Sequence, residues 1–414
     1  MTAFASTAGF WRSVGSVLTG TALAQAIPIA GSLVIARLYA PGDFGRFSAW
    51  LGMVLLASVA LTGRLEAALA LEPDGEPRRR AVASTVATVA LSALGLAVLL
   101  AMTLLLAPHF VENVPHSLLV LFLPAAALVA LQQTWQSWAA AEGIYRELSW
   151  MRIAEATFVT SLQIAAGLVF ASADALAAAQ SLGLLLAFGV ATRLLPLRRP
   201  RTRIPNLVLE IWSRHRRFPL LSLPADAINA AAAQLPVLII AARFGADVAG
   251  LLALAFRTLG APTALLGKAV LDVFKREASN SYRERGECRA EYVQTFRVLV
   301  ALSVAVSFVV MIASEALFAL AFGERWRTAG TMAIWLMPMF ALRFVSSPLS
   351  YMSYVAGKQH LDLAWQVCLL AMTLATLYLP DRSSVAILAY SAGYSILYVA
   401  YLAMSYRFSR GGVR

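Results

Sequence analysis

Four bases, Arg64, Arg257, Lys268 and Arg343, and five acids, Glu66, Glu155, Asp226, Asp272 and Glu315, stand inside long apolar stretches of this chain. A charge in hydrocarbon is costly, so such a residue needs a water-filled cavity or a partner, and it commonly marks the path of a polar cargo. Arg257 is nine residues into its stretch, roughly 14 Å deep at 1.5 Å per residue, and Arg343 is near the middle of its own. Asp226 lies eight residues in, roughly 12 Å. Guanidinium groups fork onto carboxylate or phosphate oxygens in pairs. One reading is therefore a cationic cavity for an anionic cargo, with Asp226 as a paired or protonatable acid. The other is structural ion pairing between helices. Asp226 and Asn229 share a helix face three residues apart, and Gln234 and Gln25 add polar groups to the same kind of segment. Lys268 and Asp272, one turn apart, can pair with each other. Arg64 and Glu66 sit near a segment end, where snorkelling to the interface would account for them. Glu155 and Glu315 read as interfacial.

Enzyme chemistry has no visible home. All four histidines (His109, His116, His215, His360) fall in loops. There is no metal-spaced His/Cys cluster, no glycine-rich phosphate loop and no nucleophile elbow, so neither a metal nor another cofactor is expected. Cys288 and Cys368 lie in unlike surroundings and suggest no disulfide framework.

The elements that must position these charges are membrane spans. Of 414 residues, 60% are hydrophobic and only 14% charged, and the mean hydropathy is +0.71. A soluble domain would carry roughly 25% charged residues. A span needs about 20 apolar residues, and twelve such stretches can be drawn: 13–39, 44–70, 81–107, 117–141, 150–171, 175–195, 218–242, 248–273, 298–322, 329–356, 361–379 and 385–406. Between the sixth and seventh lies Arg193–Arg217, with eight arginines and one acid. Basic loops stay on the cytoplasmic side. With both termini inside, the cytoplasmic segments hold 24 bases and the outer ones six. The net charge of +12 thus points to anionic lipid and not to nucleic acid.

The halves look repeated. Pro28, Ala36-Arg37-Leu38-Tyr39, Asp43 and Gly45 correspond to Pro236, Ala242-Arg243-Phe244-Gly245, Asp247 and Gly250. Pro124 and Gly143 stand nineteen apart, as do Pro338 and Gly357. The expected architecture is an all-α polytopic membrane protein of about 12 transmembrane helices. Residues 1–197 and 218–414 would form two six-helix bundles around a central cavity, joined by a basic cytoplasmic linker at 198–217. Six spans per half make the repeat parallel, about an axis along the membrane normal.

The stretches Ile35–Phe47 (IARLYAPGDFGRF), Gly63–Leu71 (GRLEAALAL), Arg217–Pro262, Phe322–Gly330 (FGERWRTAG) and Ala341–Gln359 (ALRFVSSPLSYMSYVAGKQ) occur in order along essentially the whole chain. In them the sequence resembles the polysaccharide-biosynthesis flippases, the O-antigen or oligosaccharide translocases of the multidrug/oligosaccharidyl-lipid/polysaccharide exporter superfamily. The resemblance implies movement of an undecaprenyl-pyrophosphate-linked oligosaccharide from the inner to the outer leaflet of the bacterial inner membrane by alternating access. It leaves open coupling to H+ or Na+ and contact with polysaccharide polymerase machinery. Arg257 and Arg343 would take the pyrophosphate, with Asp226, Asn229, Gln234, Gln25, Arg64 and Lys268 as further cavity residues. Two other readings compete. A multidrug antiporter of the same superfamily would favour acidic cavity residues. A membrane polymerase or ligase of O-antigen chains would need a substantial outer loop with acids or histidines, and the outer loops are short.

Overall fold

The computed structural model describes residues 5–106, 115–197 and 204–411, leaving aside the side chains of 5–21, 204–207, 262–269, 272, 273, 276 and 359. Among the described residues the chain is helical and contains no strand. Twelve long helices follow the twelve expected spans: α1 Ala5–Leu38, α2 Pro41–Thr62, α3 Glu76–Leu106, α4 His116–Ala141, α5 Tyr145–Val169, α6 Ala173–Leu194, α7 Leu223–Phe244, α8 Ala246–Arg285, α9 Arg289–Phe322, α10 Arg327–Leu349, α11 Gln359–Tyr378 and α12 Ser383–Ser409. Among the described residues nine of them are long and apolar enough to cross a membrane. Of the other three, α1 and α8 lie partly outside the described side chains, and α5 has its hydropathy lowered by Arg152, Glu155 and Gln163. This is a multi-pass membrane protein.

The chain divides into two compact units, Met1–Gln234 and Leu235–Arg414, with α7 running through the division. The sequence repeat reappears as matched backbone features within each unit. Pro28 and Pro236 sit inside α1 and α7, and Pro124 and Pro338 inside α4 and α10. Gly143 and Gly357 adopt φ of 71° and 68°, a left-handed conformation that costs glycine no Cβ clash and ends a helical run.

Helix ends depart most from the apolar pattern. Hydropathy puts the eighth span's end at residue 273, yet α8 continues to Arg285, 40 residues in all. At 1.5 Å per residue that is roughly 60 Å, about twice the hydrocarbon thickness. Hydrophobicity locates the lipid boundary; it does not stop a helix whose next residues, Lys275, Glu277, Ala278, Glu284 and Arg285, are mostly good helix formers. Gly286, at φ 74°, caps it, and α9 returns from Arg289. The resulting helical hairpin is packed into the second unit through Phe274, Cys288, Tyr292, Phe344, Met352 and Phe408. The end of α12 is tied to it: the Cys288 N–H donates to Ser409 O at 2.8 Å, and the Tyr292 hydroxyl meets Ser405 Oγ at 2.7 Å.

The basic stretch between the sixth and seventh spans is more than a charged loop. Arg198, Arg199, Arg201 and Arg203 lie outside the described residues, but an 11-residue helix, Ile204–Arg214, follows them. It docks on the first unit: Ile211 joins the core formed by Leu65, Leu69, Trp135, Trp138 and Met151, and Trp212 Nε1 donates to Thr88 Oγ1 at 3.2 Å. Glu72, whose side chain is only 2% exposed, receives Arg214 at 3.1 Å and lies 2.6 Å from His215 Nε2. Arg78 holds the carbonyls of Leu69 and Glu72 at 3.1 and 2.8 Å.

Candidate functional site

In the first unit α2 ends on two consecutive left-handed residues, Gly63 at φ 58° and Arg64 at φ 60°. Arg64 is the one non-glycine residue with positive φ among those described. Such a conformation costs of order 1–3 kcal/mol and persists only when its surroundings enforce it. The Arg64 side chain meets two carboxylates. Arg64 Nη1 donates to Glu66 Oε1 at 2.9 Å, and Arg64 Nε lies 2.7 Å from Asp226 Oδ2 at the start of α7. The second contact has ion-pair distance without hydrogen-bond alignment, since Nε finds no hydrogen-bond partner. Glu66 is buried and Asp226 half-buried. Snorkelling therefore does not explain Arg64 and Glu66: they form a cluster with Asp226. The partner of Asp226 is Arg64, whereas the sequence suggested a pair with Arg257 or Arg343. Asn229 is exposed on α7, and Gln234 and Gln25 are half-buried.

In the second unit Arg257 stands on α8 and Arg343 on α10. Phe256, beside Arg257, packs at 5.7 Å from Phe340 and 6.2 Å from Tyr390. Arg343 places its guanidinium carbon 6.0 Å from the Phe340 ring centre. Arg257 is half-buried and Arg343 exposed. A cation beside an aromatic face is attracted by the ring quadrupole without being neutralised. Lys268 is on α8, but its side chain lies outside the described residues.

Two sets of residues escaped the sequence reading. Tyr390, Tyr394, Tyr398 and Tyr401 form a buried ladder on one face of α12, with Trp365 packed on Tyr398 and Tyr401 at 5.5 and 4.7 Å. Their spacing of four, four and three was the available signal. Glu155, read as interfacial, instead belongs to an interior polar network. Gln136 Nε2 donates to Glu155 Oε2 at 2.8 Å, Gln132 Nε2 to the same oxygen at 3.5 Å, and Arg152 Nε to Gln136 Oε1 at 3.3 Å. Arg243 donates to the Leu377 and Pro380 carbonyls at 2.8 and 3.0 Å, closing the end of α11. Among the described residues no group of three or more His, Cys, Asp or Glu side chains is placed to hold a metal ion.

A lipid II flippase, MurJ, in an inward closed conformation is similar over 94% of this chain and 87% of its own, with a TM-score of 0.73 and 13% identity. An inward-facing multidrug resistance MATE family transporter of the MOP superfamily is similar over 93% and 94%, with a TM-score of 0.66 and 14% identity. A MOP superfamily transporter from Pyrococcus furiosus, described as having a binding pocket of reverse polarity, is similar over 96% and 94%, with a TM-score of 0.56 and 14% identity. These likenesses establish the fold. No curated protein matches the sequence. The polysaccharide biosynthesis protein family matches residues 34–330, well over half of the chain. With the fold of the MOP-superfamily transporters and that match, the chain belongs to the polysaccharide biosynthesis protein family.

Proposed function

We propose that this protein is a flippase carrying a polyprenyl-pyrophosphate-linked oligosaccharide, an O-antigen or exopolysaccharide repeat unit, from the inner to the outer leaflet by alternating access. The observation that carries the reading is the pair Arg257 and Arg343, two cations within long helices of the second unit, with Arg343 beside the Phe340 ring. Fixed cations in a low-dielectric setting suit a pyrophosphate, and aromatic rings offer faces to the sugars attached to it. In the first unit Arg64 is already held between Glu66 and Asp226, which makes it a poor first contact for an anion in this state. The polyprenyl tail stays in lipid while the sugar crosses. The distribution of bases supports cytoplasmic termini, and the family supports a place in the bacterial inner membrane. Cells lacking the protein should hold the lipid-linked saccharide on the inner leaflet with its synthesis intact, and Arg257→Ala or Arg343→Ala should fail to restore export at near-normal protein levels. Lys at either position should restore it in part, since charge returns without the planar fork. Arg382→Ala, at an exposed helix start, should restore export fully. Normal arrival of the saccharide on the outer leaflet in cells lacking the protein would refute the proposal.

A further inference from the structure

Gln132 on α4 is 2% exposed, and its Oε1 has no hydrogen-bond partner. A buried acceptor left unsatisfied costs about 1–3 kcal/mol, so it calls for an explanation. Its amide faces Glu155 of α5, whose Oε2 lies 3.5 Å from Gln132 Nε2, long for a hydrogen bond, and 2.8 Å from Gln136 Nε2. Gln132 and Gln136 are one turn apart and present to Glu155 two amides, each able to donate or accept.

We infer that Glu155 is a proton-binding site whose two protonation states are both served by Gln132. With Glu155 ionised, the amide N–H groups of Gln136 and Gln132 point at the carboxylate, as seen here. When Glu155 takes up a proton, its new O–H needs an acceptor. A half-turn of the Gln132 amide exchanges N and O and presents Oε1, the atom now without a partner. No chain movement is required, and the proton is the one ligand bound and released. The groups around the site leave few competitors. Arg152 on the same helix acts on the carboxylate and donates to Gln136 Oε1 at 3.3 Å. The nearest polar side chains of α4 are uncharged amides. Further along α5, Gln163 is bonded to Gln180 of α6 at 3.0 Å and, through its carbonyl, to Tyr39 at the end of α1 at 2.8 Å. The ionisable groups Asp174 and Arg193 stand at the two ends of α6 and Arg37 in the last turn of α1. The half-buried position of Glu155 gives the proton a way in. As a driver of transport, which rests on the flippase reading, protonation would couple the first unit to a proton gradient.

The test is infrared difference spectroscopy between acid and alkaline pH on the full chain in lipid bilayers. The parent protein should show a protonated-carboxyl carbonyl band that titrates with pH. Glu155→Gln should abolish that band, and Gln132→Leu should keep it but move its frequency, because the acceptor is gone. A spectrum unchanged by Glu155→Gln, or a band indifferent to Gln132→Leu, overturns the site. A second arm collapses the pH gradient in cells with an H+/K+ exchanging ionophore and follows translocation of the lipid-linked saccharide. The parent should lose translocation, whereas Glu155→Gln should give the same level with and without the ionophore. Ionophore-sensitive translocation in Glu155→Gln overturns the coupling role alone. No translocation by the parent under any condition overturns the flippase reading and the coupling with it, while the infrared result stands by itself.

Discussion

Arg64 has two carboxylate neighbours that differ in burial, and this sets up unequal consequences for their removal. Glu66 is 4% exposed, whereas the Asp226 side chain is 37% exposed. Arg64→Ala leaves Glu66 buried without a counter-charge and should destabilise by about 3–5 kcal/mol. Asp226→Asn leaves Arg64 paired with Glu66 and should cost about 1 kcal/mol or less. Thermal unfolding of the purified variants checks the order, and equal midpoints would show that Asp226 carries the cluster. These residues, with Arg257 and Arg343, were legible in the sequence because a charge inside an apolar run stands out by contrast. What each touches was not legible. Glu155 was judged by its distance from the end of its own segment, and the glutamines that surround it belong to another helix. One-dimensional spacing likewise cannot show the carbonyls that Arg78 and Arg243 cap.

Helix contacts turn on small residues whose neighbours the sequence could not name. A Cβ on Gly183 of α6 would come within 2.7 Å of the Val159 backbone, and one on Gly330 of α10 within 2.6 Å of that of Glu315. Backbone cannot step aside as a side-chain tip can. Gly183→Ala and Gly330→Ala should each destabilise by about 1–3 kcal/mol through overpacking, in line with the use of small residues where membrane helices meet closely. Gly189→Ala, on the same helix as Gly183 but with open space around it, should be neutral or raise stability by up to about 1 kcal/mol. The unfolding midpoints of the three variants decide this. The hairpin between α8 and α9 gives a second test. Cys288 is 1% exposed, and burial pushes its thiol up to about 12, so at neutral pH it stays protonated and unreactive. Cys368 is exposed. A membrane-permeant maleimide should therefore leave Cys288 unlabelled in the folded chain and label it on unfolding. Rapid labelling of Cys288 in the folded protein would mean that the hairpin opens. The hairpin itself was hidden from the hydropathy pattern, which ended two spans where the apolar residues ended.

For the whole molecule, the twelve spans were readable because lipid imposes a length and a composition on each of them. Proline and glycine at the proposed repeat positions share backbone features: Gly143 and Gly357 adopt one left-handed conformation. Orientation rests on the bases. A reporter fused at Asn280, on the overrun of α8, should read cytoplasmic, and one at Asp381, between α11 and α12, should read outside. A reversal at either would invert the direction of transport drawn above. The central claim is that the chain moves a lipid-linked anionic saccharide and holds it with Arg257 and Arg343. The most direct measurement is the leaflet occupied by that saccharide in intact spheroplasts, read by its accessibility to an impermeant sugar-modifying reagent. The account predicts protection in cells lacking the protein and in cells carrying Arg257→Ala or Arg343→Ala, and accessibility when the parent chain or Arg382→Ala is supplied. Equal accessibility in all of these strains would contradict it.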